Sequence, residues 1–405
     1  MRKFIAMALF LSGTLVFTSC SDDGEEVTDT EVQQAALDGV STAVSGVVST
    51  DASASGADET VFGWTLTKGG TYESSATEKV VVEGNIDTDT DWTADKIYVV
   101  TKRVTVLDGA TLTIEAGTRV EGDASFEGVD ASVLMIARGG KIMAEGTVDA
   151  PIIMTSTADD GTLTADTKGE WGGLVVLGKA PISAEQAEVQ IEGVPADDVN
   201  GLYGGTAADD NSGVITYVSI RHGGAVIDAA AGDEINGLTL GGVGSGTKIE
   251  NVEVYANSDD GIEFFGGTVN VTNAVVTKVG DDAIDIDQSY SGTVTNYLVT
   301  VDGNSDEGLE IDGREGDALG SFTLINGTIM ADGSSVTCDF KSKAQGTVRN
   351  LNANGGKIKL DASFDDVFAS TENAAKNVVD GKLVFTTVNA TFEVYTDDLP
   401  ALLEE

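Results

Sequence analysis

The sequence of 405 residues predicts an all-β fold: a right-handed, single-stranded parallel β-helix that runs from about residue 60 to residue 405. Short runs of β-branched residues, broken by Gly, Asn and Asp, fill this region, and no segment after residue 56 has the length and period of a long helix. Glycine is abundant, with 50 residues, whereas proline is rare, with 4. Similar motifs recur in the same phase, which indicates the coils of a solenoid and not the hairpins of a sandwich or barrel.

The N-terminus predicts a signal peptide at residues 1–19, where Arg2 and Lys3 precede an apolar run from Phe4 to Phe17. That run is too short to remain as a membrane-spanning helix. It ends at Ser19-Cys20, which resembles a bacterial lipoprotein signal and implies that Cys20 carries the lipid. The acidic run 21–26 resembles the export tag of Bacteroidota-type lipoproteins on the outer face of the outer membrane. A solvated charged tether is the alternative.

Residues 20–59 are expected to form an acidic, flexible tether with at most one short helix, because the spacing of Val32, Ala35, Ala36, Val40 and Val44 fits a helix only loosely. Outside the leader the only other cysteine is Cys338, so no disulfide within the mature chain is expected. Its alternating surroundings predict a buried strand position for its thiol.

The charge balance restricts the partners. Asp and Glu total 67 against 23 Lys and Arg, for a net charge of −44, and removal of Arg2 and Lys3 with the leader makes it −46. Nucleic acid and anionic lipid head groups are therefore poor partners for the body of the protein, whereas cations are good ones.

Each predicted coil contains three short runs. The first runs open at Gly246, Gly267, Gly292, Gly320 and Gly346, between 21 and 28 residues apart, and the second runs follow at 252–254, 274–276, 298–300 and 325–329. The third run is an acidic block: 258–264, 280–286 and 305–311. Residues 157–168 and 184–212 are rich in Asp, Ala and Gly and predict surface loops, and the tail 376–405 is expected to cap the open end.

The N-terminal coils carry related motifs at 104–118, 137–152, 169–173, 217–224 and 235–244. Together these resemble a family of bacterial surface β-helix lipoproteins whose members mostly lack an assigned activity. The resemblance spans roughly residues 90–350. It implies the fold and leaves the function open.

The acidic blocks predict columns of stacked carboxylates. Alternation directs Ile262, Ile284 and Leu309 into the core and their neighbours outward. Glu263, Asp285 and Glu310 should form one column, Asp287 and Asp312 a second, and 259–260, 281–282 and 306–307 a third group at the preceding turn. Carboxylates about 5 Å apart repel by roughly 3 kcal/mol at an effective dielectric constant near 20. Protons, solvent or cations can relieve this repulsion, and Ca²⁺ suits a row of oxygen ligands best. A solvated acidic face is the alternative.

Catalysis is the competing interpretation. The blocks at 258–262 and 280–284 resemble the polygalacturonase-type hydrolases, in which a trio of carboxylates, here Asp260, Asp281 and Asp282, supplies acid and base. The sequence departs from that family because 305–308 replaces its Gly-His-Gly and its Arg-Ile-Lys is absent. A calcium-dependent lyase would need a basic side chain near the acids, for which Lys278 and Arg314 are suitable by spacing alone. An anionic uronan would be repelled by the net charge.

A few basic and aromatic residues are further candidates for a binding role. His222, the only histidine, is expected to be a packed turn residue, and with Arg221 it forms the remaining candidate binding pair. Trp171 should be core, whereas Tyr255, Phe265 and Tyr290 are candidates for an exposed aromatic surface.

Two functional hypotheses follow. The first is a non-catalytic surface lipoprotein of the outer membrane, anchored by its lipid, that binds Ca²⁺ through the stacked carboxylates. It would act as a binding or accessory subunit, beside an outer-membrane transporter or in adhesion, with a transporter or a glycan as its partner. The second is a glycan-active polysaccharide lyase or glycoside hydrolase that uses the face formed by Asp260, Asp281 and Asp282.

Overall fold

The computed structural model describes residues 9–11, 14–16, 29–228, 234–331, 336–363 and 372–396. Cys20, the acidic run 21–26 and the end of the predicted cap, 397–405, lie outside these ranges. Within the predicted signal peptide, Leu9–Leu11 and Thr14–Val16 pair as antiparallel strands. In the described part of the chain no helix combines the length and the apolar character needed to cross a membrane.

The body is a parallel β-helix with three columns of strands, which confirms the predicted fold class. The first column begins with Thr90–Trp92, Thr111–Ile114 and Lys141–Glu145, and the second with Glu78–Val82, Lys96–Val100, Arg119–Gly122 and Ile152–Ser156. Longer strands then serve both columns: Gly213–Arg221, Lys248–Tyr255, Asn270–Thr277, Thr293–Val301 and Phe322–Ala331. The third column contains Arg103–Val106, Val133–Ile136, Leu174–Leu177, Leu238–Gly241, Ile262–Phe265, Ile284–Asp287, Leu309–Ile311 and Cys338–Phe340. The last two strands, Gly346–Asp361 and Leu383–Tyr395, pass through all three columns.

The core lies inside the coils. Ile262, Ile284 and Leu309 are buried there as alternation predicts. Cys338 is buried and free, and Trp171 is fully buried, so both of these expectations are confirmed. Apolar side chains from successive coils thus stack into one continuous cluster, which a solenoid without disulfides requires.

In each coil one residue with a positive φ angle turns the chain from the first column to the second. In successive coils this residue is Tyr217, Asn251, Asn273, Asn296, Asn326 and Asn350. Asparagine tolerates this left-handed conformation better than most residues. Its amide also bonds between coils, since Asn273 Nδ2 donates to Asn251 Oδ1 at 2.9 Å and Asn296 Nδ2 to Asn273 Oδ1 at 2.7 Å.

The segment expected to be a flexible tether is packed from residue 29 onward. Helix α1 (Asp29–Ser45) contacts helix α2 (Ala374–Val379) and the last strand, and Val44 and Val48 join the core. Residues 50–68, here called the N-terminal strap, then run back along the asparagine turns and include the 3-10 helices Glu59–Phe62 and Leu66–Lys68. Over residues 29–59 the structure therefore differs from the expected flexible tether, because buried apolar side chains and hydrogen bonds to distant coils hold this part of the segment.

The C-terminal tail supplies the last coil of the solenoid. Leu383–Tyr395 pairs with Gly346–Asp361 along its length. Both α1 and α2 contact this strand, so the cap of the described end combines the two termini of the chain.

Residues 184–212, here called the covering loop, leave the solenoid between Leu174–Leu177 and Gly213–Arg221, as predicted. Instead of extending into solvent, the loop folds over the outer face of the third column. It includes the short strands Val189–Gln190 and Leu202–Tyr203 and the 3-10 helix Val199–Gly201. Another 3-10 helix lies at Gly128–Asp130.

Two of the aromatic residues expected at the surface are buried, so that expectation is wrong for them. Phe265 points out of its coil but is covered by Tyr203 of the covering loop, with ring centroids 5.8 Å apart. Tyr290 turns inward and donates its hydroxyl to the Val269 carbonyl at 2.6 Å. Tyr255 is half-buried and packs edge-on against His222.

Candidate functional site

The predicted carboxylate column is present on the outer side of the third column. Glu263 pairs in register with Asp285, Asp285 with Glu310, and Glu310 with Asp339, which extends the stack by one coil. In the second stack, Phe265 lies beside Asp287 of the next coil. Asp312 belongs to the coil after that, where its amide donates a hydrogen bond to the Ile286 carbonyl. Because equivalent positions of neighbouring coils are about 4.8 Å apart, the strand register itself brings these acids together.

A further stack lies at the turn before the third column, two residues ahead of each strand. Asn236, Asp260, Asp282 and Glu307 hold equivalent positions there. Asp260 Oδ1 accepts a hydrogen bond from the Asp282 amide, and Asp282 Oδ1 accepts one from the Glu307 amide, both at 2.8 Å. These carboxyl groups therefore link the backbones of successive coils.

The acids are far more buried than a solvated face would be. Asp260, Glu263, Asp282 and Glu307 are between 4% and 7% exposed, whereas Asp285, Asp287, Glu310 and Asp312 are half-buried. Asp281 and Asp306 are exposed. Full solvation therefore describes Asp281 and Asp306, whereas the other acids of the cluster are partly or almost wholly removed from water.

Burial, followed by the charges of neighbouring carboxylates, raises the pKa values of eight acids on and beside the third column. The pKa rises to about 7 for Asp259, Asp287 and Glu307, to about 6 for Asp312 and to about 11 for Asp282. It lies well above the usual range for Asp260, Glu263 and Asp285. In the absence of a cation, protons must therefore remain on part of the cluster near neutral pH.

Three groups of carboxylates have the geometry of a metal site. Their members offer oxygen atoms within 4.8 Å of one another: Asp259, Asp260 and Asp281; Asp260, Glu263 and Asp285; Asp282, Glu307 and Glu310. Two oxygens in these groups, Asp285 Oδ1 and Glu307 Oε2, are buried and accept no hydrogen bond. A hard cation with flexible coordination, such as Ca²⁺, fits such a set of donors.

Basic side chains neutralise only the C-terminal half of the column. Lys341 pairs with Glu310, and Lys359 Nζ lies 2.8 Å from Asp339 Oδ2. Among the described residues, no lysine or arginine forms an ion pair with Asp260, Glu263 or Asp285. The group formed by these three acids is thus the part of the column whose charge is least balanced.

Comparison with known protein families gives one match. Residues 84–402 match the model of a pectate-lyase-like β-helix domain. The chain belongs to this β-helix family. No curated protein and no solved structure matches it significantly.

Membership of the pectate-lyase-like family agrees with the observed coils and includes the whole acidic cluster and the covering loop. The N-terminal strap lies outside the matched residues. The family does not distinguish a binding protein from an enzyme, so the geometry of the cluster must carry any argument about function.

The three carboxylates considered for a hydrolase, Asp260, Asp281 and Asp282, differ in their exposure to solvent. Asp260 and Asp282 are buried and bonded to backbone amides, and only Asp281 is exposed. The two basic residues considered for a lyase form ion pairs with acids outside the cluster. Lys278 Nζ lies 3.3 Å from Asp302 Oδ2, and Arg314 Nη2 lies 3.2 Å from Glu372 Oε2. A general acid or base must reach its substrate, and this arrangement leaves one accessible member of the trio.

Arg221 and His222 lie apart from the acidic column and are buried. Arg221 Nε donates to Ser219 Oγ at 2.8 Å, and His222 Nδ1 lies 2.7 Å from the Thr167 carbonyl oxygen. Packing of His222 at a turn agrees with the expectation for that residue. A binding role for the pair stays a prediction.

Several residues of the site were not found from the sequence. Glu192 reaches the cluster from the covering loop, and Asn236 lies between Glu192 and Glu263. Asp339 and Lys341 follow by register once the next coil is aligned, and the alternating Cys338-Asp339-Phe340 run was the available signal. The path of the covering loop has no comparable signal, because the loop is not part of the repeat.

Proposed function

We propose that this member of the pectate-lyase-like β-helix family is a non-catalytic binding or accessory protein that holds Ca²⁺, or a similar divalent cation, on its third column. The observation that carries the proposal is the group formed by Asp260, Glu263 and Asp285. Its oxygens lie within 4.8 Å of one another, one of them is buried without a hydrogen bond, and the group has no basic partner among the described residues.

The energetics of the group are compatible with a bound cation. A buried carboxylate without a compensating charge is strongly unfavourable, so the group must hold either protons or a cation. Calcium accepts six to eight oxygens at about 2.3–2.6 Å in flexible geometry, and water can complete its shell at the half-exposed side. The C-terminal half of the column meets the same requirement with Lys341 and Lys359.

Thermal unfolding of the mature chain from Ser21, without its lipid, tests the proposal. At pH 8 and constant ionic strength, calcium should raise the unfolding midpoint relative to EDTA. A concentration one hundred times the Kd should add about 2.7 kcal/mol to the free energy of unfolding. A matched double variant removes two carboxylates from the site, Glu263→Gln with Asp285→Asn. Its control removes two exposed ones elsewhere, Glu83→Gln with Glu145→Gln.

The calcium-induced rise in midpoint should disappear in the site variant and persist in the control. An equal rise in both proteins, or none in the wild type, would contradict calcium binding at this group.

We also propose that the protein is a lipoprotein on the outer face of the outer membrane, anchored through Cys20, whose partner is an outer-membrane transporter or a bound glycan. The leader and the acidic run after it support this placement. Mass spectrometry of the mature N-terminus should detect an acylated Cys20. Protease added to intact cells should remove the protein, and full protection would rule out surface exposure.

A glycan-active lyase or hydrolase is the second candidate. One arrangement favours it: exposed Asp281 lies within reach of Asp259 and Asp260 at the rim of the cluster. Turnover of a glycan that Asp281→Asn abolishes, with no change in unfolding midpoint, would establish this candidate. A loss of calcium-dependent stability without any turnover by the wild type would favour the binding role.

A further inference from the structure

The first strand of the solenoid leaves one edge open. Glu78–Val82 pairs with Lys96–Val100 on one side, and no described residue bonds to its backbone on the other side. The helices that cap the solenoid contact the last strand, Leu383–Tyr395, at the opposite end. An open edge presents a row of unpaired N–H and C=O groups, to which another strand can add.

Alternate residues of this strand supply the free groups. Val80 and Val82 pack against the core, and the Val82 carbonyl accepts an amide of the next coil at 3.1 Å, so these residues bond to the neighbouring strand. Successive residues of a strand direct their backbone groups to opposite edges and their side chains to opposite faces. Lys79 and Val81, and Glu83 directly after the strand, therefore direct their backbone groups to the open edge and their side chains to the outer face.

The strand is complementary to itself. When two copies pair antiparallel about a two-fold axis at Val81, Lys79 of each copy lies opposite Glu83 of the other, and the two Val81 side chains face each other. Moving the axis to either neighbouring residue also matches the backbone groups, but it sets Val81 opposite a charged side chain. Val81 is 58% exposed, so the first register alone pairs opposite charges and covers this apolar side chain with another valine.

Both charged side chains are available for this contact. Lys79 Nζ lies 2.6 Å from Glu121 Oε2, yet the lysine side chain remains 49% exposed and can approach a second carboxylate. Glu83 is exposed, and within the described chain no lysine or arginine pairs with it. The pairing therefore forms charge contacts without first breaking one inside the chain.

The open edge lies far from the end of the solenoid that holds helix α1. This helix begins at Asp29 and contacts the last strand. Ten successive strand pairings of the second column separate that strand from Glu78–Val82, so at about 4.8 Å each the two ends lie roughly 50 Å apart. Pairing at the open edges would thus place the two α1 helices at opposite ends of the complex.

We infer that a second copy of this chain binds at the open edge, end to end, through an antiparallel pair of Glu78–Val82 strands centred on Val81. The pairing itself is independent of the proposed calcium site. Its placement rests on the proposed lipid anchor at Cys20, nine residues before Asp29: the anchors then lie at opposite ends, so the two copies meet between facing membranes. The net charge of −44 favours this upright placement, because anionic head groups repel the body of the protein.

A contact through one strand is small, so the pairing is weak in solution. Many anchored copies on each surface would engage together, and their high effective concentration strengthens the contact. Long-range repulsion between the acidic bodies is screened beyond about 8 Å at physiological ionic strength. The open edge is therefore suited to reversible contacts between surfaces.

Substitution at the two-fold axis tests the register. Val81→Lys and Val81→Glu each place like charges opposite each other, and each should weaken dimerisation at least about tenfold. An equimolar mixture of the two variants sets lysine opposite glutamate and should recover the dimer. Val148→Lys is the matched control, because Val148 is 54% exposed and lies away from the edge. Sedimentation equilibrium in EDTA at physiological ionic strength, over a series of concentrations, measures each protein.

Vesicles report on the pairing when many copies act together. The chain from Cys20 can be coupled through this thiol to maleimide lipid in phosphatidylcholine vesicles, because Cys338 is buried. Wild-type vesicles should cluster, as light scattering measures. Vesicles that carry Val81→Lys alone, or Val81→Glu alone, should stay dispersed, and mixing these two populations should restore clustering.

A wild type that neither dimerises nor clusters vesicles would overturn the inference. A dimer that both Val81 variants leave unchanged would overturn it too, since another surface would carry the contact, and strengthening by one variant would rule out the register centred on Val81. Because the coupling to vesicles does not depend on natural lipidation, an unmodified Cys20 in cells would remove the membrane placement and leave the pairing in place.

Discussion

At the scale of single residues, the acids of the turn before the third column serve as hydrogen-bond acceptors for the next coil. Asp282 is the clearest example, because its Oδ1 accepts the Glu307 amide at 2.8 Å. Burial, together with the Asp260 carboxylate, raises the pKa of Asp282 to about 11. Without a cation nearby, Asp282 is therefore a neutral acid at physiological pH, and its oxygen matters more than its charge.

We predict that Asp282→Asn keeps the stability of the protein in EDTA, since the amide is neutral, of the same size and retains an acceptor oxygen. Asp282→Ala should lower the free energy of unfolding by about 1–3 kcal/mol, because it leaves the Glu307 amide without its partner. Urea unfolding in EDTA measures both. Equal destabilisation by the two substitutions would show that a charged carboxylate is required.

Alternation located the acids well from the sequence. It placed Glu263, Asp285 and Glu310 in one stack because strand register and side-chain period are both regular in a solenoid. It could not give their burial, which depends on the covering loop and on packing between turns. Nor could it find Glu192 or Asn236, whose roles depend on where an irregular loop returns to the coil.

At the scale of elements, the N-terminal strap adds contacts along the solenoid that the repeating coils themselves do not supply. It bonds to two side chains at the turns between the first and second columns, the Ser55 amide to Asn350 Oδ1 at 2.8 Å and the Asp58 amide to Asn296 Oδ1 at 2.6 Å. It also bonds to one side chain of the second column, the Thr67 amide to Glu253 Oε1 at 2.8 Å. Glu253 is fully buried and also accepts from Ser219 Oγ at 2.7 Å. The strap thereby satisfies polar groups that would otherwise face solvent or remain unpaired.

We predict that Phe62→Ala lowers the free energy of unfolding by about 3–5 kcal/mol, since Phe62 is fully buried against Val275 and Leu298. The adjacent Val61 is 38% exposed, so Val61→Ala is a matched control with an expected effect below about 1 kcal/mol. Chemical unfolding of both variants measures the difference. Similar small effects would mean that the strap rests on the solenoid without stabilising it.

The sequence did not predict the strap because its residues have neither strand alternation nor a regular helical stripe. Its contacts lie far along the chain: 295 residues separate Ser55 from Asn350, and 238 separate Asp58 from Asn296. Short polar segments of this kind resemble linkers in composition, and only their partners distinguish them.

At the scale of the whole molecule, the acidic cluster determines how stability depends on pH. Carboxyl groups whose pKa is raised in the folded state favour folding while they hold protons, and this contribution is lost as pH rises through the folded pKa. For Asp259, Asp287 and Glu307 the loss extends from the usual value near 4 to about 7. Groups with lowered pKa values, such as Asp58 and Glu372, change stability at lower pH.

We therefore predict that, in EDTA, the unfolding midpoint falls between pH 5 and pH 8, and that calcium removes most of this fall because it binds the deprotonated cluster. Differential scanning calorimetry at fixed ionic strength measures the dependence. The variant that combines Glu263→Gln with Asp285→Asn should show a smaller fall in EDTA. A wild-type midpoint that rises from pH 5 to pH 8 in EDTA would contradict the assignment.

The strap also constrains the order in which the protein can fold during synthesis. Residues 50–68 emerge before any coil, yet their partners include Asn350, and the Asp51 amide bonds the Val388 carbonyl in the last strand. The start of the strap can therefore dock only after the last coils have formed, whereas Asp58 and Thr67 have partners in earlier coils. Closing so long a loop belongs to the slow, late steps of folding. A chain truncated before the last coil would leave its N-terminal segment exposed to proteases, so that docking of the strap would mark a complete solenoid.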